Sequence, residues 1–223
     1  LTLDLGPLPA GKQFENNLPA SESATPELAF STTPSWQAAA AEYAQVIEGQ
    51  VKGADLTAWV GEATKGATTR DQKIAGILAR LHRSVRYTGI EFGDRAIVPA
   101  TPAETLRRGF GDCKDKATVL ACALRAAGIP ADVALLQAGT GVDTDPDLPG
   151  LGGFNHAIVH VPGDAPMWID ATADSAPFGS TYLGVEGRMA LIAAPSTTSL
   201  SRIPEMASKE NNETETREVF FGD

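Results

Sequence analysis

Apolar residues recur every three or four positions in two stretches of the first half of the chain, the spacing typical of amphipathic helices. The first stretch covers residues 36–47, and the Thr-Pro pair at 33–34 predicts the N-cap and first residue of its helix. The second covers residues 74–85, and the T-R-D-Q segment at 69–72 has the form of a capping box. A short helix is predicted between them, around residues 56–60.

The middle of the chain predicts a short helix and, after it, the most apolar helix of the sequence. A Thr-Pro pair at 101–102 predicts a short helix that ends at Gly109. A glycine-rich turn then leads into residues 113–127, where apolar side chains cover most of the helix surface, as expected of a buried helix. Gly128 and Pro130 are a usual helix stop.

Runs of apolar and β-branched residues predict the strands of the domain. They lie at 133–136, 157–161 and 167–170, with a further short extended stretch at 85–90. The turn at 163–166 suits an antiparallel pairing of the last two strands. A long loop at 139–153, with five glycines and two prolines, is expected to be functional or mobile. The predicted fold class is α+β, with the buried helix packed on an antiparallel sheet.

Length and charge limit the possible functions. The chain has 223 residues, of which 43% are hydrophobic, enough for one ordinary domain without disulfides. We expect an extended arm or the tail of a preceding domain at 1–33, a central domain at 34–195, and a polar linker leading into a β-rich segment at 196–223. The net charge of −10 disfavours nucleic acid and anionic lipid as partners. No run approaches the roughly 18 apolar residues of a membrane span.

The two cysteines have different surroundings. Cys113 lies where the glycine-rich turn meets the buried helix, and a helix N-terminus stabilises a thiolate. Its backbone N–H groups also point where an oxyanion would form. Cys122 is nine residues further on, about 13.5 Å along the helix, too far for a disulfide with Cys113. Cys113 is therefore a candidate nucleophile, and Cys122 is interpreted as a small core residue.

A thiol nucleophile needs a base, and the base needs an orienting group. His156 begins one predicted strand and Asp170 ends the next, so antiparallel pairing would bring them side by side. His160 shares the strand face of His156 but lies about 13 Å further along, out of reach of the same thiol. His82, beside a helix stripe, is interpreted as a half-buried surface residue.

Metal and phosphate sites are weaker interpretations of the same residues. Asp143, Asp145 and Asp147 alternate like the start of a calcium loop, but Pro146 interrupts it and the bidentate glutamate is missing. The glycines around them lack the Lys-Ser/Thr of a phosphate-binding loop. A zinc site built from the candidate cysteine, histidine and aspartate is chemically possible. An ion pair between thiolate and imidazolium explains their positions without metal, so no metal and no cofactor is predicted.

Three sequence blocks carry a family resemblance. Residues 109–117 (G-F-G-D-C-K-D-K-A), with L-R-A-A-G-I-P-A at 124–131, resemble the cysteine block of the transglutaminase-like superfamily. Residues 155–157 (N-H-A) and 168–172 (W-I-D-A-T) resemble its histidine and aspartate blocks, in the same order. Y-T-G-I-E at 87–91 is similar to the bacterial branch, in which this domain follows an N-terminal β-rich domain of unknown function and often precedes another. The resemblance spans roughly residues 36–194.

The resemblance implies a papain-like, transglutaminase-like α+β fold with a Cys-His-Asp triad. Cys113 would be the nucleophile, His156 the base and Asp170 the group that orients the imidazole. In animal cross-linking members an upstream tryptophan assists the oxyanion. Here Tyr87 is the candidate for that position, and Trp59 is an alternative.

The family further implies attack on an amide carbonyl and a thioester intermediate. Gly111, Asp112 and Asn155 are expected to line the substrate cleft, with the loop at 139–153 at its side. We expect hydrolysis of a peptide or isopeptide bond rather than transamidation, with a protein or peptide as substrate. A non-catalytic peptide-binding module that keeps the fold is the alternative. The bacterial branch suggests a periplasmic or cell-envelope location and β-rich domains flanking this one.

Overall fold

A computed structural model describes residues 6–7, 17–22, 28–89, 92–176, 178–179, 184–207 and 214–221. The helices are α1 (Trp36–Val51), α2 (Thr57–Ala63), α3 (Arg70–Ser84), α4 (Pro102–Arg108) and α5 (Cys113–Ala126), and a 3₁₀ helix (Gly93–Ala96) precedes α4. The strands are β1 (Arg86–Tyr87), β2 (Phe110–Gly111), β3 (Asp132–Leu136), β4 (His156–Val161), β5 (Met167–Ile169), β6 (Met189–Ile192) and β7 (Ser201–Arg202). Part of the predicted extended stretch at 85–90 falls on residue 90, which lies outside the described residues.

Side-chain caps fix where the helices begin. The capping box predicted at 69–72 is confirmed, with Thr69 as the N-cap of α3. The predicted start of α1 is wrong by two residues, because the Ser35 side chain accepts the hydrogen bond from Ala38 N–H and α1 begins at Trp36. At the end of α4, Gly109 takes the left-handed conformation (φ 70°) that lets the chain turn toward β2.

The strands form a short parallel pair and a separate antiparallel sheet. β1 and β2 form a short parallel pair, and the larger sheet has the strand order β5-β4-β3-β6-β7, antiparallel throughout. The predicted antiparallel pairing of β4 with β5 is confirmed. In the β3–β4 pair Leu136 lies opposite His156, so β4 begins where β3 ends.

The core lies between α5 and the sheet. Alternate residues of β3 and β4, such as Val133 and Val159, face the main core with α1, α3 and α5. The intervening residues, such as Leu136 and Ile158, are buried in a smaller cluster with Trp168. The fold class is α+β, with the buried helix packed on an antiparallel sheet, as predicted.

Two further observations concern membrane-spanning helices and the C-terminal boundary of the domain. None of the described helices combines the length and the apolar character needed to cross a bilayer. The domain boundary at residue 195 stays a prediction, and β7 lies beyond it, paired with β6.

Candidate active site

Cys113 is fixed at the first position of α5 by a capping box. Asp112 accepts a hydrogen bond from the backbone N–H of Asp115 at 3.1 Å, and the Asp115 carboxylate accepts the N–H of Asp112 at 3.3 Å. Asp115 is held in turn by Arg108 and by the backbone N–H of Ala100. Because the two cap aspartates are buried and held on both sides, the position of Cys113 at the helix start is fixed.

Two backbone N–H groups at this helix start are open. Within the described part of the chain, no acceptor takes the N–H of Cys113 or of Lys114. The first N–H groups of an α-helix have no intrahelical partner, and the helix dipole places partial positive charge there. The start of α5 can therefore stabilise negative charge next to the Cys113 sulfur.

His156 lies between a thiol and a carboxylate. Its Nε2 is 2.8 Å from Oδ2 of Asp170, the residue that follows β5. Its imidazole and the Cys113 side chain line the same cavity, and Cys113 is close enough to act on the pKa of the imidazole. The side chains of His156 and Asp170 are 14% and 5% exposed, so water screens this pair little.

The electrostatics of the pair favour a charged imidazole. Burial disfavours the imidazolium, but the hydrogen bonds to Asp170 and Cys113, with their negative charges, outweigh it and raise the pKa of His156 to about 10. For Asp170, burial acts to raise the pKa, yet the bonds to His156 and Thr172 lower it below its usual value. At neutral pH the imidazole is protonated and the carboxylate is ionised.

Thr172 is a site residue that the sequence did not single out. Its N–H and its hydroxyl donate to Oδ1 of Asp170 at 2.8 and 2.7 Å, so one carboxylate oxygen is held while the other faces His156. Thr172 stands two residues after Asp170 in the aspartate block. An aspartate whose carboxylate accepts the N–H of the residue two positions later is a common local pattern. The contact of Thr172 with Asp170 could therefore have been inferred from the sequence.

Replacing Thr172 by valine should lower the free energy of unfolding at pH 7 by about 1–2 kcal/mol, because a donor to an ionised buried carboxylate is lost. Since the folded-state pKa of Asp170 is depressed, its stabilisation is present above its unfolded value and is lost as the pH falls through the folded value. Urea denaturation at pH 7 and pH 3 should show the difference shrinking in acid. Thr172→Ser keeps the donor and should stay near wild type; an equal loss in Ser and Val would assign the effect to packing instead.

A second polar group holds the loop after Asp170. Lys116, one turn along α5 from the cysteine, is fully buried, and its Nζ is 3.1 Å from Oδ1 of Asp174. His82 Nε2 lies 3.4 Å from the same oxygen. Burial lowers the pKa of His82, while Asp174 acts against that shift. His82 is thus a half-buried neighbour of the loop.

A small cavity opens beside Cys113 and His156. Its volume is about 120 Å³. It is lined by Tyr43, Ala96, Ile97, Cys113, Lys114, Leu135, Leu151, Phe154, Asn155, His156 and Ala157. We call it the Cys113 cavity. Its lining comes from α1, the 3₁₀ helix, α5, β3, β4 and the loop before β4, so no single stretch of sequence predicts it.

Tyr43 is a buried member of this lining with a polar group. Its hydroxyl donates to the carbonyl of Ile97 at 3.2 Å. Burial, followed by the negative charges of Cys113 and the two cap aspartates, raises the pKa of Tyr43 well above its usual value. The phenol therefore stays a neutral donor near neutral pH. Sequence reasoning placed it in the core stripe of α1 and missed its contact with the site.

Of the predicted cleft residues, Asn155 lines the cavity and the other two have different contacts. The Asn155 amide bonds Ala138 twice, accepting its N–H at 2.7 Å and donating to its carbonyl at 3.2 Å. Asp112 is the buried cap of α5. Gly111 is also buried, and a Cβ there would lie 2.8 Å from Cβ of Asp115, so close packing requires glycine.

The remaining candidates lie outside the cavity lining. Tyr87 is 46% exposed and lies opposite Gly111 in the β1–β2 pair. Trp59 packs under the guanidinium of Arg80, 5.1 Å from the ring centroid. His160 stacks on Trp168 with ring centroids 4.7 Å apart.

No group of three or more His, Cys, Asp or Glu side chains among the described residues is arranged to hold a metal ion. The described residues of the aspartate-rich loop serve structure instead. Asp143 accepts the N–H of Met189 at 3.0 Å, and Asp145 accepts the N–H of Asp147 at 2.8 Å. The carboxylates thus tie the loop to β6 and to itself.

Comparison with known proteins gives the family and the fold of the chain. The sequence profile described as the transglutaminase-like superfamily matches residues 57–173, more than half of the chain. A crystal structure of a proposed protease from Parabacteroides distasonis superimposes with a TM-score of 0.60 at 20% identity, over 78% of this chain and 32% of that one. A proposed cysteine protease from Cytophaga hutchinsonii gives a TM-score of 0.39 at 21% identity, over 52% and 36%. The chain thus spans about a third of each of these proteins. Among curated proteins no sequence matches it.

Proposed function

The chain belongs to the transglutaminase-like superfamily, and we propose that it is a cysteine-dependent enzyme of that family which hydrolyses peptide or isopeptide bonds through a thioester. One observation carries the proposal: His156 shares a cavity with Cys113 and lies 2.8 Å from the Asp170 carboxylate. A nucleophile, a base and an orienting group in this order are the elements of covalent acyl transfer.

Each residue has a defined part in the proposed mechanism. The Cys113 thiolate attacks the amide carbonyl, and the carbonyl electrons move to its oxygen. The open N–H groups of Cys113 and Lys114 stabilise that oxyanion. Imidazolium His156 then gives its proton to the departing amine as the C–N bond breaks, leaving the thioester. Asp170 keeps the imidazole oriented throughout.

Water resolves the thioester in this proposal. His156, now neutral, takes a proton from the water molecule that attacks the thioester carbonyl, and the thiolate leaves with the carboxylic acid product. In a transamidation an amine would replace the water. Tyr87 is proposed as an additional oxyanion donor, since its strand neighbour Gly111 precedes Cys113 by two residues. A periplasmic or cell-envelope location is proposed on the family's bacterial branch alone.

The function is tested by a peptide-substrate screen that scores cleavage and amine incorporation separately. The wild-type chain is incubated with a library of quenched fluorescent peptides, with and without a biotin-labelled amine. We expect cleavage without the amine and little incorporation with it. Incorporation that exceeds cleavage would identify a transamidase. Binding of peptides without either reaction would identify the chain as a peptide-binding module.

A further inference from the structure

The lining of the Cys113 cavity is mainly apolar. Aliphatic and aromatic side chains from four parts of the chain form its walls, among them Ile97, Leu135, Leu151 and Phe154. Its volume of about 120 Å³ is close to the ~150 Å³ of an engineered apolar cavity that holds benzene. It therefore has room for one aliphatic side chain of the size of valine or leucine.

The charges of the lining exclude a cationic occupant. Lys114 and the protonated His156 are the ionisable cations that face the cavity, and no described lining residue is a carboxylate. The Nζ of Lys114 is bound by Asp112, so this ammonium already has its counter-ion. A lysine or arginine side chain of a ligand would enter a desolvated site next to two cations. A ligand carboxylate would have to compete with Asp112 for the Lys114 ammonium.

A larger groove lies next to the same cavity and shares one lining residue with it. It has a volume of about 620 Å³ and lies between the segment 29–33 and the loop 142–153. Leu151 lines both spaces, so the groove and the Cys113 cavity adjoin. Trp36 Nε1 donates to the carbonyl of Pro146 at 2.6 Å and holds the loop on the side of α1. An elongated ligand fits this arrangement better than a compact one.

From these contacts we propose that the Cys113 cavity is a specificity pocket, which takes one uncharged aliphatic side chain from the acyl side of a peptide substrate. The proposal rests on the proposed function and adds the substrate class: polypeptides with a valine-like or leucine-like residue within two positions of the attacked carbonyl. The rest of the chain continues along the groove at Leu151. Ile97, 52% exposed at the rim, is the side chain that sets the preference without supporting the core.

Alkylation of Cys113 tests this pocket without any need for turnover. The probes are peptidyl chloromethyl ketones that carry glycine, valine, leucine, lysine or glutamate at the first or second position from the reactive group. The thiolate displaces chloride, and mass spectrometry locates the label. At one of the two positions, leucine or valine should raise the second-order labelling rate by about 10-fold over glycine. Lysine and glutamate should label no faster than glycine.

A matched pair of variants separates the effect of the pocket on the labelling rate from the effect of an apolar protein surface in general. Ile97→Ala should reduce the leucine-over-glycine ratio by about threefold or more. Phe92→Ala removes a larger apolar side chain that is 85% exposed and outside the lining, and it should leave the ratio unchanged. Equal rates for all probes, fastest labelling by the lysine probe, or no labelling of Cys113 would overturn the pocket. Selective labelling without any turnover would refute the proposed function and leave the pocket in place.

Discussion

Replacing Cys113 by alanine should lower turnover by on the order of 10⁶-fold, the loss seen when the nucleophile of a serine peptidase is removed. The alanine side chain has no atom that can form the thioester. The fold should survive, because alanine is a good helix former and the cap of α5 consists of Asp112 and Asp115, which remain. The measurement is the cleavage rate on the best peptide of the screen, with circular dichroism to confirm the fold.

Cys122→Ala is the matched control for this variant. Both cysteines are free and both lie on α5. Burial raises the pKa of the Cys122 thiol, with nearby Arg125 acting against that shift. Its removal should leave turnover close to wild type. A Cys113→Ala protein that keeps turnover, or a Cys122→Ala protein that loses it, would remove Cys113 from the mechanism.

The sequence predicted the elements that carry the site because local signals mark them. Caps, glycines and a helix stripe located α3, α4 and α5, and the turn at 163–166 was enough to pair β4 with β5. β6 and β7 were missed, because no turn signal links either of them to a neighbouring predicted strand and β7 has only two residues. β6 pairs with β3, which precedes it by more than fifty residues, and β7 pairs with β6.

Within the site, the capping box of α5 shows which residue roles local sequence can predict and which it cannot. Asp112 was expected to line the cleft on the family resemblance, and in the structure its carboxylate caps the start of α5. The D-x-x-D spacing with Asp115 resembles a capping box and could have indicated this role. Tyr43 and Ile97 could not have been found in that way, since α1 reaches the cysteine only through tertiary packing.

The arrangement of charges bears on how the proposed mechanism would start near neutral pH. A neutral imidazole would first have to take the thiol proton, whereas in the proposed mechanism a protonated His156 pairs with the thiolate from the outset. Asp170 stabilises that cation, and Thr172 together with the loop held by Lys116 keeps the carboxylate in place. The neutral Tyr43 phenol adds a donor rather than a charge. The side chains of Tyr43, Lys116 and Asp170 are buried, so their interactions are screened little by solvent.

His156→Ala should lower turnover about as much as loss of the nucleophile does, on the order of 10⁶-fold, because base and acid functions disappear together. The matched control is His160→Ala on the same strand. Burial lowers the pKa of His160, whose ring packs on Trp168, so this variant should lose some stability and keep its turnover. Loss of turnover in His160→Ala alone would reverse the assignment of the base.

The pH dependence gives an independent measure of the same residue. Because the folded-state pKa of His156 is raised to about 10, its stabilising effect is complete below its unfolded value of ~6.5 and is lost as the pH rises through about 10. Wild-type turnover should therefore stay high above pH 8 and fall near pH 10, where the imidazole no longer protonates the leaving amine. The difference in unfolding free energy between wild type and His156→Ala should be larger at pH 7 than at pH 11. An alkaline limb near pH 7 would mean that Asp170 and Cys113 do not hold the proton on His156.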